Sequence, residues 1–210
     1  HAFPINQGTE TLGLLVLDTS PQARLPRFTE EKLVELCRQI AKFRPARLVL
    51  FDISEAALYE IRTALGDEFT QLPMVTVVGD VKHAALVEDV LEREKPNVVF
   101  HAAAYKHVPL MEETNAWQAV RNNAYGTWVI ARASVAAKVE KFVLVSTDKA
   151  VNPTSVMGAS KRLAEIVCQT LQGGGTAFVV VRFGNVFGSA GSVIPRFREQ
   201  IARGGPVTVT

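Results

Sequence analysis

The chain has 210 residues, 48% of them apolar, and a formal net charge of +2. That apolar content suits one globular domain with a well-filled core. Lys and Arg are scattered in runs no longer than two, which argues against a nucleic-acid-binding face or an acidic tail. The longest aliphatic run, Leu14–Leu17, falls far short of the roughly 20 residues that span a bilayer. No signal peptide is evident, so a soluble, cytoplasmic chain is expected. Cys37 and Cys168 sit on predicted helices among apolar neighbours and read as buried free thiols, with no metal site expected. His1 at the start and the strand-like Val207–Thr210 at the end read as the borders of a piece of a longer protein.

In chain order, a first strand is expected at Leu12–Asp18, followed by Arg47–Asp52, Met74–Val78, Asn97–Ala102, Phe142–Ser146 and Ala177–Phe183. These short runs are β-branched and apolar on both faces, as strands of a parallel sheet are. Helical periodicity fills the gaps at Glu30–Phe43, Ser54–Leu65, Lys82–Glu94, Glu113–Ala137 and Ser155–Leu171. Alternating strands and helices imply an α/β fold, a doubly wound, Rossmann-like parallel sheet with helices on both faces. The expected organisation is an atypical N-terminal segment over residues 1–34, a nucleotide-binding domain over 35–183, and the start of a substrate-binding part over 184–210.

The first strand–helix turn is unusual. In a dinucleotide-binding fold it carries glycines that let a pyrophosphate approach the helix N-terminus. Here TSPQARLPRF (Thr19–Phe28) has no glycine, and Thr29 reads as an N-cap followed by Glu30 and Glu31. Those acids would occupy the helix dipole that a phosphate would use. The later positions suit a cofactor better. Asp52 ends the second strand, where an acid can hold the adenosine ribose diol, and Ile53-Ser54-Glu55 offers no Arg for a 2′-phosphate, favouring NAD over NADP. Asp80 and Val81 follow the third strand and can line an adenine; Ala102, at the end of the fourth, and Ala103 join the cofactor set.

The richest segment is VLVSTDKAVNPTSVMGASK (Val143–Lys161). A buried strand delivers Ser146, Thr147, Asp148 and Lys149, and a helix delivers Lys161. A Lys four residues after a Tyr on such a helix would lower the phenol's pKa and make a base for a sugar hydroxyl. Four residues before Lys161 stands Met157, which carries no proton.

Together, HAAAYKHVPLME (His101–Glu112), NNAYGT (Asn122–Thr127), VSTDKAVNPTSVMGASK (Val145–Lys161) and RFGNVFGSAGSVIPRFREQI (Arg182–Ile201) resemble the nucleotide-sugar 4,6-dehydratases of bacterial polysaccharide biosynthesis, in the extended short-chain dehydrogenase/reductase superfamily. The resemblance runs from about Glu35 to Thr210 and includes the branch, typically membrane-anchored, with Met in place of Tyr. It implies NAD-dependent oxidation at C4 of a UDP-N-acetylhexosamine, loss of water across C5 and C6, and reduction at C6. On that basis Asp148 is the acid for the 6-hydroxyl, Lys149 the C5 base, Ser146 or Thr147 a partner of the 4-oxygen, and Lys161 the holder of the nicotinamide ribose. Met157 leaves the 4-hydroxyl base to a water relayed by Lys161 or Asp148. Lys106, His107, Asn185 and Arg196 fall to the substrate, with Arg182 and Arg198 as further diphosphate candidates, and Asn123 bonds backbone near the site. The family also implies a homo-oligomer through helices near 113–137 and 155–171, and a longer parent with a membrane domain that would place this part at the inner membrane face. The competing reading is a Rossmann-like remnant of the family that no longer binds NAD; an epimerase or reductase of the superfamily would need the Tyr that Met157 replaces.

Overall fold

Six strands form one sheet in the order β3-β2-β1-β4-β5-β6, every neighbouring pair parallel. The structure is a computed structural model that describes residues 12–16, 27–184 and 200–206, with side chains from residue 33 onward. The strands are β1 (Leu12–Val16), β2 (Arg47–Asp52), β3 (Met74–Val78), β4 (Val98–His101), β5 (Lys141–Thr147) and β6 (Ala177–Phe183). Despite its unusual following loop, β1 takes the central place: Leu14 lies opposite Val49 of β2 on one side and Val99 of β4 on the other. The sheet therefore has no gap between β2 and β4.

Side-chain alternation assigns the helices to two faces. On β2, Leu48 and Leu50 pack with Cys37 and Ile40 of α1 (Arg27–Ala41) and with Leu58, Ile61 and Leu65 of α2 (Glu55–Glu68). Val49 and Phe51, one residue out of phase, join the opposite core with Val87, Val90 and Leu91 of α3 (Ala84–Glu94). That core also takes Phe142 and Leu144 of β5, Val129 and Ile130 of α6 (Gly126–Ala136), and Ala164 and Cys168 of α7 (Val156–Leu171). Burying a side chain such as Phe142, which is fully inaccessible, contributes about 2–3 kcal/mol. Because α3 carries the chain from one edge of the sheet to the far side of β1, the strand order reverses between β1 and β4. Open α/β sheets bind ligands at the carboxyl ends of the strands around such a reversal.

Two expectations are corrected. The helix expected over Glu113–Ala137 is broken: α4 (Val108–Met111) and α5 (Ala116–Ala119) are short, a π-helical stretch follows at Val120–Tyr125, and α6 completes the run. The i→i+5 pattern of a π turn is invisible to a 3.6-residue period. Second, α1 begins at Arg27, so Thr29 lies inside the first turn instead of capping it. Glu30 and Glu31 then sit deeper in the helix than the capping argument placed them. The described part of β1 is Leu12–Val16; residues 17–26, and the strand expected at Val207–Thr210, lie outside the described residues. Both cysteines are buried free thiols, as expected, and burial pushes each up to about 12.

Candidate active site

The end of β5 turns directly into a 3-10 helical turn, Asp148–Ala150, and then into α7. Thr147 starts the turn by accepting the Lys149 backbone N–H at 3.3 Å. Ser155 caps α7 by accepting from Gly158 N–H at 3.1 Å, and Glu112 Oε1 accepts the Val156 N–H at 2.9 Å. Gly158 is what lets the turn lie against the helix: a Cβ there would overlap the carbonyl oxygen of Lys149. Sequence and packing thus hold the turn and the helix as one unit.

On that unit Thr147, Asp148 and Lys149 are drawn together. Lys149 Nζ donates to Asp148 Oδ1 at 3.1 Å, and Thr147 Oγ1 donates to the same oxygen at 3.0 Å. The Lys149 hydrogen bond, with Thr147 adding to it, holds the Asp148 carboxyl below its ordinary value against the cost of burial. Both charged side chains are about half exposed, 53% for Asp148 and 40% for Lys149, so a ligand can reach them.

Ser146 goes elsewhere. It is buried, and its Oγ donates to Glu165 Oε1 at 2.7 Å. Glu165, one helical turn beyond Lys161 and fully inaccessible, also accepts from Arg182 Nε and Nη2 at 2.8 and 2.6 Å and from Arg162 Nη1 at 2.8 Å. Burial works against the Glu165 anion, but these donors, Arg182 foremost, win and hold its carboxyl down at about 2. Arg182, a diphosphate candidate from sequence, is occupied here as the clamp of Glu165. Glu165 itself is a site residue the sequence reading missed. The available signal was its position four residues after Lys161, on the same helix face.

Lys161 is brought beneath the site, 3% exposed, with Nζ donating to the Val145 carbonyl at 2.7 Å. Burial lowers it to about 8, while Cys168 and Glu165 pull the other way. Its neighbour His101, at the end of β4, has no exposed surface, and burial followed by the Lys161 charge lowers it to about 3. It is therefore neutral. Thr127 Oγ1 donates to the Asn123 carbonyl at 2.6 Å, so it accepts from His101 Nε2–H at 2.9 Å, which assigns the tautomer from the network. Among the described residues His101 Nδ1 has no partner.

Asn123 bonds backbone, as expected, and more completely than expected. Its Oδ1 accepts from Tyr105 N–H at 2.7 Å, and its Nδ2 donates to the Tyr105 carbonyl at 3.0 Å and to Ser160 Oγ at 2.9 Å. The loop after β4 is thereby pinned to α7. Met157 is 4% exposed and forms an apolar cluster with Met111 and Ala119, against which Tyr105, Val108 and Val156 pack. Lys106 is exposed and His107 half-buried at the start of α4; burial, then Lys106, lowers the His107 imidazole.

The cofactor candidates occupy successive strand ends. Asp52 closes β2, fully buried, with Oδ1 accepting the Ser54 N–H at 2.7 Å. Asp80 and Val81 follow β3, and Ala102 and Ala103 follow β4, with Ala103 buried. Asn185, Arg196 and Arg198 lie outside the described residues. Among the described residues no helix is long and apolar enough to cross a membrane.

The family described as "Polysaccharide biosynthesis protein" matches residues 34–210. The chain belongs to this family. The capsular polysaccharide biosynthesis protein CapD of Staphylococcus aureus is 49% identical over 179 residues, covering 84% of this chain and 30% of CapD. A UDP-glucose 4-epimerase of Rickettsia rickettsii is 33% identical over 192 residues, covering 90% of this chain and 52% of the epimerase. The crystal structure of the dTDP-glucose 4,6-dehydratase DesIV from Streptomyces venezuelae, with NAD and TYD bound, superposes with a TM-score of 0.69. It is 22% identical, covers 93% of this chain and 63% of DesIV, and shows a shared fold. The chain thus spans about a third of CapD and about half of the epimerase.

Proposed function

We propose that this chain carries the catalytic centre of an NAD-dependent nucleotide-sugar 4,6-dehydratase acting on a UDP-N-acetylhexosamine in polysaccharide biosynthesis. The observation that carries the reading is the Asp148–Lys149 pair, presented half-exposed on the β5–α7 turn with a Thr hydroxyl on the carboxylate. An elimination needs an acid and a base side by side, whereas an epimerase of this superfamily relies on the Tyr that Met157 replaces. The acid at the end of β2, the Asp80–Val81 turn and the small residues after β4 fit an extended dinucleotide lying over the reversal in strand order, and NAD-bound relatives of the same fold support that cofactor. The chemistry NAD supplies when bound is hydride acceptance at C4 and hydride return at C6.

The protein's own part follows from the hydrogen bonds. Thr147 Oγ1, already donating to Asp148, passes the proton of the 4-hydroxyl to the Asp148 carboxylate as C4 becomes a ketone. Asp148 is then neutral, and Lys149 beside it acts as the C5 base in its amine form. Lys149 then takes the C5 proton, made acidic by the 4-ketone, while Asp148 delivers its proton to the departing 6-oxygen and water leaves. Lys149, its N–H protons exchanged with solvent, finally delivers a proton to C5. Lys161, charged and desolvated beneath the site, favours the negative charge that develops on the 4-oxygen. The exposed apolar residues Trp117, Tyr125 and Trp128, together with Leu163 and Ile166 of α7, support pairing of these helices between subunits.

Asp148→Asn tests the reading. Mixed with NAD and UDP-N-acetylglucosamine, it should stall without releasing water, whereas wild type gives a lighter sugar; an Asn variant that eliminates water at the wild-type rate would refute the acid assignment. The second reading, a family member without NAD, is favoured by the glycine-free Thr19–Phe28 loop and would show as absence of NAD binding in a folded protein.

A further inference from the structure

The turn after β3 and the π-helical stretch are joined side chain to side chain. Lys82 Nζ donates to Asn122 Oδ1 at 2.9 Å and pairs with Asp80 Oδ1 at 2.8 Å. The Lys82 backbone N–H reaches the same Asp80 oxygen at 2.8 Å. Asn122 has no exposed surface, so this contact is made in a place where an unpaired amide would be costly. A second contact fixes the same two elements: Gly126 begins α6 so close to Val81 that a Cβ would stand 2.9 Å from Val81 Cγ1. One residue along the π turn, Asn123 grips the Tyr105 backbone and Ser160 of α7. Two adjacent buried asparagines therefore face two different parts of the site, one towards the β3 turn and one towards the catalytic helix. π turns inside helices occur often at functional sites, and here the turn links two loops at the strand ends.

The Asp80 carboxylate is loaded asymmetrically. Both of its side-chain bonds among the described residues come from Lys82 and land on Oδ1, and its side chain is one-third exposed. Among the described residues Oδ2 has no hydrogen-bond partner. An acceptor oxygen held in fixed direction selects a donor on its ligand, which an exocyclic amino group supplies and an exocyclic carbonyl does not.

We propose that Lys82 and Asn122 are positioning residues for the adenine end of the dinucleotide: they lock the Asp80 carboxylate with Oδ2 outward and tie it to the π turn that also holds α7. This rests on the reading that the chain binds NAD. Neither residue touches the reacting atoms, so the effect belongs to cofactor affinity and not to the acid–base pair.

Calorimetric titration of the native-length protein with NAD, AMP and UDP tests it, using Lys82→Met, which keeps the apolar stem and removes the ammonium. NAD and AMP should bind about 10-fold more weakly, the scale of a charge-assisted hydrogen bond, with UDP affinity unchanged. Lys82→Arg, which keeps donors towards both Asn122 and Asp80, should recover most of the loss. Unchanged AMP affinity in Lys82→Met overturns the proposal, and so does an equal loss for UDP, which marks general damage to the fold. A wild-type protein that binds UDP but neither NAD nor AMP overturns the cofactor reading itself.

Discussion

Glu165→Gln removes a charge that four hydrogen bonds converge on. In the wild type, Ser146, Arg162 and both Arg182 donors reach the Glu165 carboxylate at 2.6–2.8 Å in a fully inaccessible position. The Gln variant is nearly isosteric, but its amide NH2 must face at least one guanidinium donor and leave that contact repulsive. Two routes give the magnitude. Lowering a glutamate from 4.5 to about 2 corresponds to about 3 kcal/mol of differential stability. Breaking a buried ion pair by removing one partner costs about 3–5 kcal/mol. Chemical denaturation at neutral pH should therefore show a loss of about 3 kcal/mol. The pH dependence carries the sign. Because the folded-state value lies below the unfolded one, the contribution is fully present above about 4.5 and lost as pH falls towards about 2. The gap between wild type and variant should narrow across that window, since Gln does not titrate. A loss under about 1 kcal/mol, or a gap that is as wide at pH 2 as at pH 7, would refute the reasoning.

Gly158→Ala should push the Asp148–Ala150 turn off α7, because the new methyl meets the Lys149 carbonyl; overpacking of this kind costs about 1–3 kcal/mol, and thermal melting with turnover measurements should show activity falling further than stability does. Lys161, lowered to about 8 by burial, should impose a fall in the C4 oxidation rate as pH rises through that value and the ammonium is lost. Lys161→Arg should move the fall to higher pH, and a rate that stays flat beyond pH about 9 in wild type would contradict the role. Leu163→Glu, on the exposed face of α7, should shift the sedimentation coefficient to that of a monomer without lowering the melting temperature of the monomer itself.

The sheet was legible because Arg47–Asp52, Met74–Val78 and Ala177–Phe183 are short runs rich in apolar residues, and the structure places strands at those same bounds, with β2 buried on both faces and the edge strands β3 and β6 only partly so. The place of β1 was harder to read, since its identity depends on tertiary pairing with β2 and β4 and not on its own composition. The π turn escaped because Glu113–Ala137 has enough apolar residues to satisfy a regular helix, while the break serves Asn122 and Asn123, polar residues that need buried partners. At the site, Thr147, Asp148 and Lys149 came together as their adjacency at a strand end suggested. Ser146 did not join them: strand alternation turns it to the opposite side, where Glu165 waits. Glu165 and His101 were not singled out, since a Glu on a helix is ordinarily solvated and a His at a strand end is ordinarily a packing residue. Only the structure shows that Arg162 and Arg182 neutralise the first, and that Thr127 holds the second as its neutral tautomer.

Incubation of the protein with NAD and UDP-N-acetylglucosamine in heavy water, followed by mass spectrometry of the sugar nucleotide, addresses the central claim most directly. A 4,6-dehydratase with Lys149 as the C5 base should yield a product that has lost one water and gained one solvent deuterium at C5. A product of unchanged composition with an inverted C4 would show an epimerase and contradict the account.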